Sequence, residues 1–205
     1  MTQHTAWTSA ARAVAALRAR RLLRPERLAA LSEGELAEVI RTAGTYRLKA
    51  RRLQTFTRWL LERFGGRFVG MRRAPLLALR REMLAIAGLG PETVDAILLY
   101  AAGRPVFVAD AYARRLLAIH GFLPDGAGYE DARAFLEAHL PSDPVLFNEF
   151  HALLVAAGKE HSRRAEPRSV RPRRGSPPPA PARPSLSSAS GRRAGRAPLR
   201  SGRRR

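Results

Sequence analysis

The chain has 205 residues, a formal net charge of +20 and no cysteine, which excludes disulfides and thiolate-ligated metals or clusters. Its 45% hydrophobic content is enough for a packed core in one or two small domains, and it lacks the run of roughly 18 apolar residues that a membrane-spanning helix needs. The basic charge suits a polyanionic partner: residues 161–205 hold 14 Arg and one acid, and residues 1–160 hold 23 basic and 16 acidic residues. The N-terminus has no charged-then-apolar signal pattern, so a cytoplasmic protein is expected. Arg outnumbers Lys 35 to 2, which restricts amine chemistry to Lys49 and Lys159.

In chain order, Ser9 to Leu23 has helical apolar spacing through Val14, Leu17 and Leu22. Pro25 opens a short helix, Glu26 to Leu31. Ser32 and Glu35 form a capping box for a helix ending near Gly44. Tyr46 to Phe64 is a longer helix with Leu48, Leu53, Phe56, Leu60 and Phe64 on its apolar side, stopped by Gly65 and Gly66. Its Arg47, Lys49, Arg51 and Arg52 read as a solvated face or one that approaches a polyanion. Pro75 opens the helix that leads into the stretch Leu84 to Leu98.

That stretch reads as helix, tight turn, helix. Gly88 and Gly90 flank Leu89, and Pro91 suits the first position of a new helix. Glycines let the backbone turn sharply and approach another molecule closely, and a helix start favours an anion such as phosphate. An ordinary αα-hairpin with Leu89 in the core fits the same pattern. Thr93 to Ala102 is apolar and closed by Gly103, and Val106 to Val108 is too short to read as a strand. Asp110 precedes a helix, Ala111 to His120, where it is a natural N-cap. Tyr129 to Leu140 is a further helix, and Asp143-Pro144 starts a last one that stops at Gly158. From about Arg163 the Arg, Pro, Ser, Gly and Ala content cannot offset ordering entropy, so disorder is expected. The class is all-α.

Gly88-Leu89-Gly90 and Pro105-Val-Phe-Val-Ala-Asp110 resemble the helix-hairpin-helix and the aspartate segment of the endonuclease III superfamily of DNA glycosylases. Asp110 lies 18 positions beyond Glu92, the spacing that family keeps between its lysine position and its catalytic aspartate. Gly90-Pro-Glu-Thr93 is similar to the monofunctional, 3-methyladenine-type branch. Thr2-Gln-His-Thr-Ala-Trp7 resembles an internal motif that follows an apolar helix in the family. That helix is missing here, so an N-terminally truncated chain or a misassigned start is expected. The resemblance runs from about Thr2 to Ser162.

The resemblance implies a helix-hairpin-helix glycosylase-like helical bundle. Residues 1–104 form a six-helix-type domain with the hairpin, residues 105–162 complete a DNA-binding cleft, and residues 163–205 are the disordered basic tail. It implies a monomeric DNA N-glycosylase of base-excision repair acting on duplex DNA with a damaged, possibly alkylated, base. Asp110 is the catalytic candidate, because a carboxylate stabilises the positive charge that builds on the sugar or activates water. Glu92 stands at the lysine position and cannot form an imine, so hydrolysis without lyase activity is expected; Glu92 itself reads as an ordinary first-turn acid.

Gly88, Leu89, Gly90, Gln3, Arg114 and Arg115 are DNA-binding candidates, with Gln3 at the position that fills the gap left by a flipped base. Trp7, Tyr46, Tyr112, Asn148 and His151 are candidates to line the base pocket, although aromatics equally dominate cores. Relatives often carry a Cys-x6-Cys-x2-Cys-x5-Cys loop after Gly-Lys-Glu-His for a [4Fe–4S] cluster. Here those positions hold Ser162, Ser169, Pro172 and Pro178, so no cluster, and no cofactor or metal, is expected. Two other readings fit the same residues: a non-catalytic hairpin protein that binds DNA, and an inactive truncated remnant.

Overall fold

In the computed structural model, residues 5–165 are described, and among them every regular element is helical. Trp7–Ala19 (α1), Pro25–Ala30 (α2) and Glu33–Val39 (α3) precede the long Tyr46–Phe64 (α4). Phe68–Arg73 (α5) and Leu76–Leu84 (α6) lead to the hairpin. Pro91–Ala96 (α7) continues directly into a π-helical turn, Ile97–Ala101. Ala111–Ile119 (α8), Tyr129–His139 (α9) and Pro144–Ala165 (α10) follow.

Three apolar clusters hold these elements, and α4 joins the first two. Its N-terminal half packs Ala50 and Leu53 with Leu17, Leu36 and Ile40. Its C-terminal half packs Leu60 and Phe56 with Met71, Leu79, Met83 and Val94. The third cluster gathers Leu99, Phe107, Leu117, Leu136 and Phe147. Burial of side chains of this size contributes about 1.5–3 kcal/mol each against leaving them exposed. The expected capping box is present: Ser32 Oγ accepts from Glu35 N–H at 3.2 Å, and Glu35 Oε2 accepts from Ser32 N–H at 2.7 Å. The Ser32 N–H and the Ser32 hydroxyl, which also donates to Oε2 at 2.8 Å, hold the Glu35 carboxyl below its ordinary value.

A charged cluster ties α7 to α6 and α9. Asp95 is fully buried and accepts two bonds from Arg80, at 2.7 and 3.0 Å, and one from the Tyr129 hydroxyl at 3.0 Å. Burying a carboxylate requires such pairing. Arg133 on α9 bridges Glu130 and Glu137, and Glu137 accepts from Phe107 N–H at 2.8 Å. The extended segment Val106–Ala109 is thereby fixed in the core and delivers Asp110 to the start of α8.

Several expectations are corrected. The last helix does not stop at Gly158 but runs to Ala165. Gly158 is a notch: a Cβ there would lie 2.7 Å from Tyr112 Cβ, so the glycine admits Tyr112 rather than ending the helix. Residues 163–165 are therefore helical, and the rest of the expected disordered tail lies outside the described residues, as does Gln3. Lys49 is 8% exposed rather than solvated, whereas Leu48 is 44% exposed and Val14 43% exposed. The helix α4 has rotated its buried face by one position relative to the reading from apolar residues alone. The short α5 has no counterpart in the reading, and α3 ends at Val39, ahead of Gly44.

Candidate active site

A cavity of about 540 Å³ opens between α4, the hairpin, α7 with its π turn, and α10, a size that suits one small ligand. From α4, Lys49, Arg52, Leu53 and Phe56 line it; their spacing puts all four on one helical face. Gly88 and Leu89 of the hairpin form a second wall, Glu92, Thr93 and Ala96 a third, and Ile97, Tyr100 and Ala101 of the π turn continue it. Val108, Asp110 and His151 close the cavity. A π turn changes the helical phase, and such turns recur at functional sites.

The hairpin geometry separates its two glycines. Gly88 has φ +87°, and a Cβ there would lie 2.6 Å from Arg52 Cγ. That position needs glycine both for its backbone and for the passage of Arg52. Gly90 has φ −90° and ψ 169°, ordinary extended backbone, with nothing within 4 Å of a built Cβ. Its carbonyl accepts from Val94 N–H at 3.0 Å and starts α7. Leu89 packs partly against the second cluster while facing the cavity.

Asp110 caps α8: Oδ1 accepts from Ala113 N–H at 2.9 Å. Its Oδ2 faces His151 Nε2 at 3.6 Å. Burial pushes the Asp110 carboxyl up, but His151 and the Ala113 and Tyr112 N–H groups outweigh it and hold the group below its ordinary value. The acid is therefore ionised at neutral pH. Glu92 behaves oppositely: burial and then the Asp110 charge push it up, against the pull of Arg114 and His151. Burial and the Asp110 charge also push Tyr100 up to about 12, so its hydroxyl keeps its proton. Lys49, bonded to Thr5 Oγ1, is pulled down by burial and by Arg52.

Of the residues singled out from sequence, Gly88, Leu89, Asp110 and His151 meet at this cavity, and Gly90 adjoins it in the hairpin. Four pocket candidates do not line it. Trp7 is 74% exposed at the first residue of α1; Tyr46 packs against the first cluster; Tyr112 fills the Gly158 notch; Asn148 is exposed on α10. In the last case the helical phase that buries Phe147 turns Asn148 outward. Arg115 is exposed and donates to Ser162 Oγ at 3.1 Å. Arg114 is half-buried, with Nε shielded and without a hydrogen-bond partner among the described residues, and acts on Glu92.

Sequence reasoning missed Lys49, Arg52, Phe56 and Tyr100 as cavity residues. The first three share a helical stripe that mixes cations with apolar groups, so neither a hydrophobic nor a charge pattern isolates it. Glu92, at the position where the resemblance expects a lysine, is both the first-turn acid of its helix and a residue of the cavity wall. Among the described residues no group of His, Cys, Asp and Glu is arranged to hold a metal ion. Ser162 lies within α10, while positions 169, 172 and 178 lie outside the described residues. Two serines and two prolines are not a donor set for an iron–sulfur cluster.

Residues 1–142 match the model of the HhH-GPD superfamily of base excision DNA repair proteins. A protein of Methanocaldococcus jannaschii, provisionally named a DNA repair glycosylase, is 38% identical over 165 residues, spanning 80% of this chain and 75% of that one. Endonuclease III of Thermotoga maritima is 27% identical over 135 residues, 66% of this chain and 58% of its own length. Among solved structures, H. pylori 3-methyladenine DNA glycosylase bound to 1,N6-ethenoadenine has the same fold, with a TM-score of 0.69 at 24% identity over 78% of this chain and 81% of that one. An endonuclease III–DNA covalent intermediate matches at a TM-score of 0.58 and 23% identity, over 71% and 63% of the two chains.

Proposed function

This chain belongs to the HhH-GPD superfamily of base excision DNA repair proteins, a DNA glycosylase family, and on that footing we propose that it is a monofunctional glycosylase that removes a damaged base by hydrolysis. The observation that carries the reading is an ionised Asp110 at a base-sized cavity beside the hairpin, with Glu92 where the resemblance expects a lysine. In this reading duplex DNA lies across the hairpin, where the backbone around Gly88 and Gly90 approaches a phosphate. The damaged nucleotide turns out of the stack into the cavity, against Phe56 and Tyr100. As the C1′–N bond breaks, its electron pair leaves with the base and positive charge builds on the sugar. Asp110 stabilises that charge. Water adds to C1′ and gives its proton to Asp110. The product is a free base and an abasic site. No step passes through an iron–sulfur cluster, for which the residues do not fit.

One observation favours a second reading. Lys49 brings an amine to the cavity wall, and burial pulls its acidity toward the free-amine side. An amine that attacked C1′ would form an imine and give lyase activity. Its contact with Thr5 and the ordinary need to neutralise phosphate support the first reading instead.

The test is excision from methylated duplex DNA with and without borohydride. The first reading expects free base, a strand intact until alkali, no trapped adduct, and a loss of about 10²–10⁴-fold in Asp110→Asn. A borohydride-trapped adduct that disappears in Lys49→Gln would establish the second reading. Full activity in Asp110→Asn would reduce that residue to a helix cap.

A further inference from the structure

The carboxylate proposed to act on the sugar is one end of a chain of three side chains. The Tyr100 hydroxyl hydrogen-bonds His151 Nδ1, and His151 Nε2 faces Asp110 Oδ2 at 3.6 Å. The imidazole is held by its surroundings: its ring lies edge-on to Phe107 with centroids 6.3 Å apart, and 6.0 Å from the Tyr100 ring. The His151 side chain is 14% exposed and that of Asp110 18%. Nε2 is fully shielded and has no closed hydrogen bond among the described residues, so the facing carboxylate is the acceptor that its geometry offers.

The tautomer follows from these contacts. If Nδ1 accepts the Tyr100 proton, Nε2 carries the hydrogen and points it at Asp110. In the opposite tautomer a lone pair on Nε2 would face a carboxylate oxygen, and a buried nitrogen would have no donor. We propose that Tyr100 and His151 are positioning residues: the tyrosine hydroxyl fixes the imidazole in the tautomer that donates Nε2–H to Asp110, so that the carboxylate meets the sugar charged and in one orientation. This rests on the reading of Asp110 as the reacting carboxylate.

Each Asp110 oxygen then has its own task. Oδ1 is held by Ala113 N–H at 2.9 Å, which sets the plane of the carboxyl group. Oδ2 is the oxygen turned to His151, and a small rotation closes the 3.6 Å gap, as catalytic hydrogen bonds tighten when a substrate binds. Glu92 on α7 interacts with His151, and Arg114 on α8 acts in turn on Glu92; Lys49 and Arg52 line the same cavity from α4. Glu92 is the competing acceptor. Burial raises its carboxyl above the ordinary value, and the nitrogen faces Asp110 Oδ2 at 3.6 Å, so Asp110 takes the donor. The π turn matters here because Tyr100 lies within it.

The test uses the full chain labelled with carboxyl-13C aspartate, titrated by NMR as parent, His151→Leu, His151→Gln and Tyr100→Phe, each with a thermal melt. Asp110 should titrate below an ordinary aspartate in the parent and move up in His151→Leu. His151→Gln, whose amide can donate from near the Nε2 position, should restore much of the shift, and Tyr100→Phe should fall between. On methylated duplex DNA, His151→Leu should excise about 10–100-fold more slowly, the order of loss for removing an orienting partner, with no further loss when Asp110→Asn is already present.

An Asp110 midpoint that is the same in parent and His151→Leu would overturn the proposal, as would equal losses in the Leu and Gln variants. If His151→Leu fails to fold, Tyr100→Phe, which removes one oxygen, decides the matter by the same two readouts. The titration is independent of the excision chemistry. A full-rate Asp110→Asn would sink the functional reading while leaving the measured relay intact.

Discussion

Replacing Gly90 with valine separates folding from DNA contact at the hairpin. Gly90 sits at φ −90° and ψ 169°, which valine adopts freely, and an added Cβ meets nothing within 4 Å. Two small effects oppose each other. Losing glycine stiffens the unfolded chain, worth about 0.4–1 kcal/mol in favour of folding. Valine is a poorer N-cap than glycine, which costs up to about 1 kcal/mol. Stability should therefore change by less than about 1 kcal/mol, the most by which those two ranges differ. Binding should change much more. A hydrogen bond to a charged phosphate is worth about 1.5–3 kcal/mol, so a side chain that holds the backbone off the phosphate should weaken DNA about 10–100-fold. The loss should be the same for every sequence and for damaged and undamaged duplexes, because phosphate contacts carry no base information. Fluorescence anisotropy at fixed salt, beside a thermal melt, measures both quantities. Unchanged affinity in a variant that melts like the parent would refute the phosphate-cradle reading. Gly88→Val is no substitute, since φ +87° and Arg52 Cγ at 2.6 Å make it destabilising for reasons unrelated to DNA.

Three further outcomes follow from the same geometry. Asp95→Ala should cost about 3–5 kcal/mol in urea unfolding, the range for removing one partner of a buried ion pair, because Arg80 and the Tyr129 hydroxyl lose their buried acceptor; a loss below about 1 kcal/mol would show the cluster to be dispensable. Glu92→Gln should flatten stability against pH: a carboxyl raised by burial binds its proton more tightly when folded, so its contribution is full below the ordinary glutamate value and is lost as pH rises through the folded value. The variant should accordingly match the parent near pH 4 and exceed it at pH 7, as chemical denaturation at the two pH values would read; a parent that is the more stable at pH 7 would contradict this. Removing residues 166–205, which hold 12 Arg and one Glu, should lower non-specific DNA affinity and flatten its salt dependence, since fewer counterions are released; an unchanged slope in log affinity against log salt would remove the tail from the DNA interface.

What the sequence could reveal depended on whether a residue's role is local. The helix-turn-helix around Gly88 and Gly90, the Ser32–Glu35 capping box and the N-cap at Asp110 are set by a few neighbouring residues, and each stands where the pattern puts it. Gly158 shows the limit of such rules. Glycine before a change of composition signals a helix end, but here the absent side chain serves a residue 46 positions earlier, Tyr112, and the helix continues. The cavity is non-local throughout. Lys49 and Arg52 are cations on a helix whose buried stripe is partly polar, so a period-3.6 search for apolar residues assigns them to solvent. Arg52 is half-buried where the hairpin passes α4, with Gly88 against its side chain, and no periodicity encodes that contact. Tyr100 and His151 are 51 positions apart, and an aromatic in an alanine-rich helix gives no hint of a partner. Glu92 carries the same lesson in its chemistry. As a first-turn acid it needs only the helix dipole to explain it, yet the fold sets it in the wall that holds Asp110 and drives the two carboxyls in opposite directions. Division of labour between two acids arises from burial and hydrogen bonding around each, and those are properties of the folded cavity rather than of either residue.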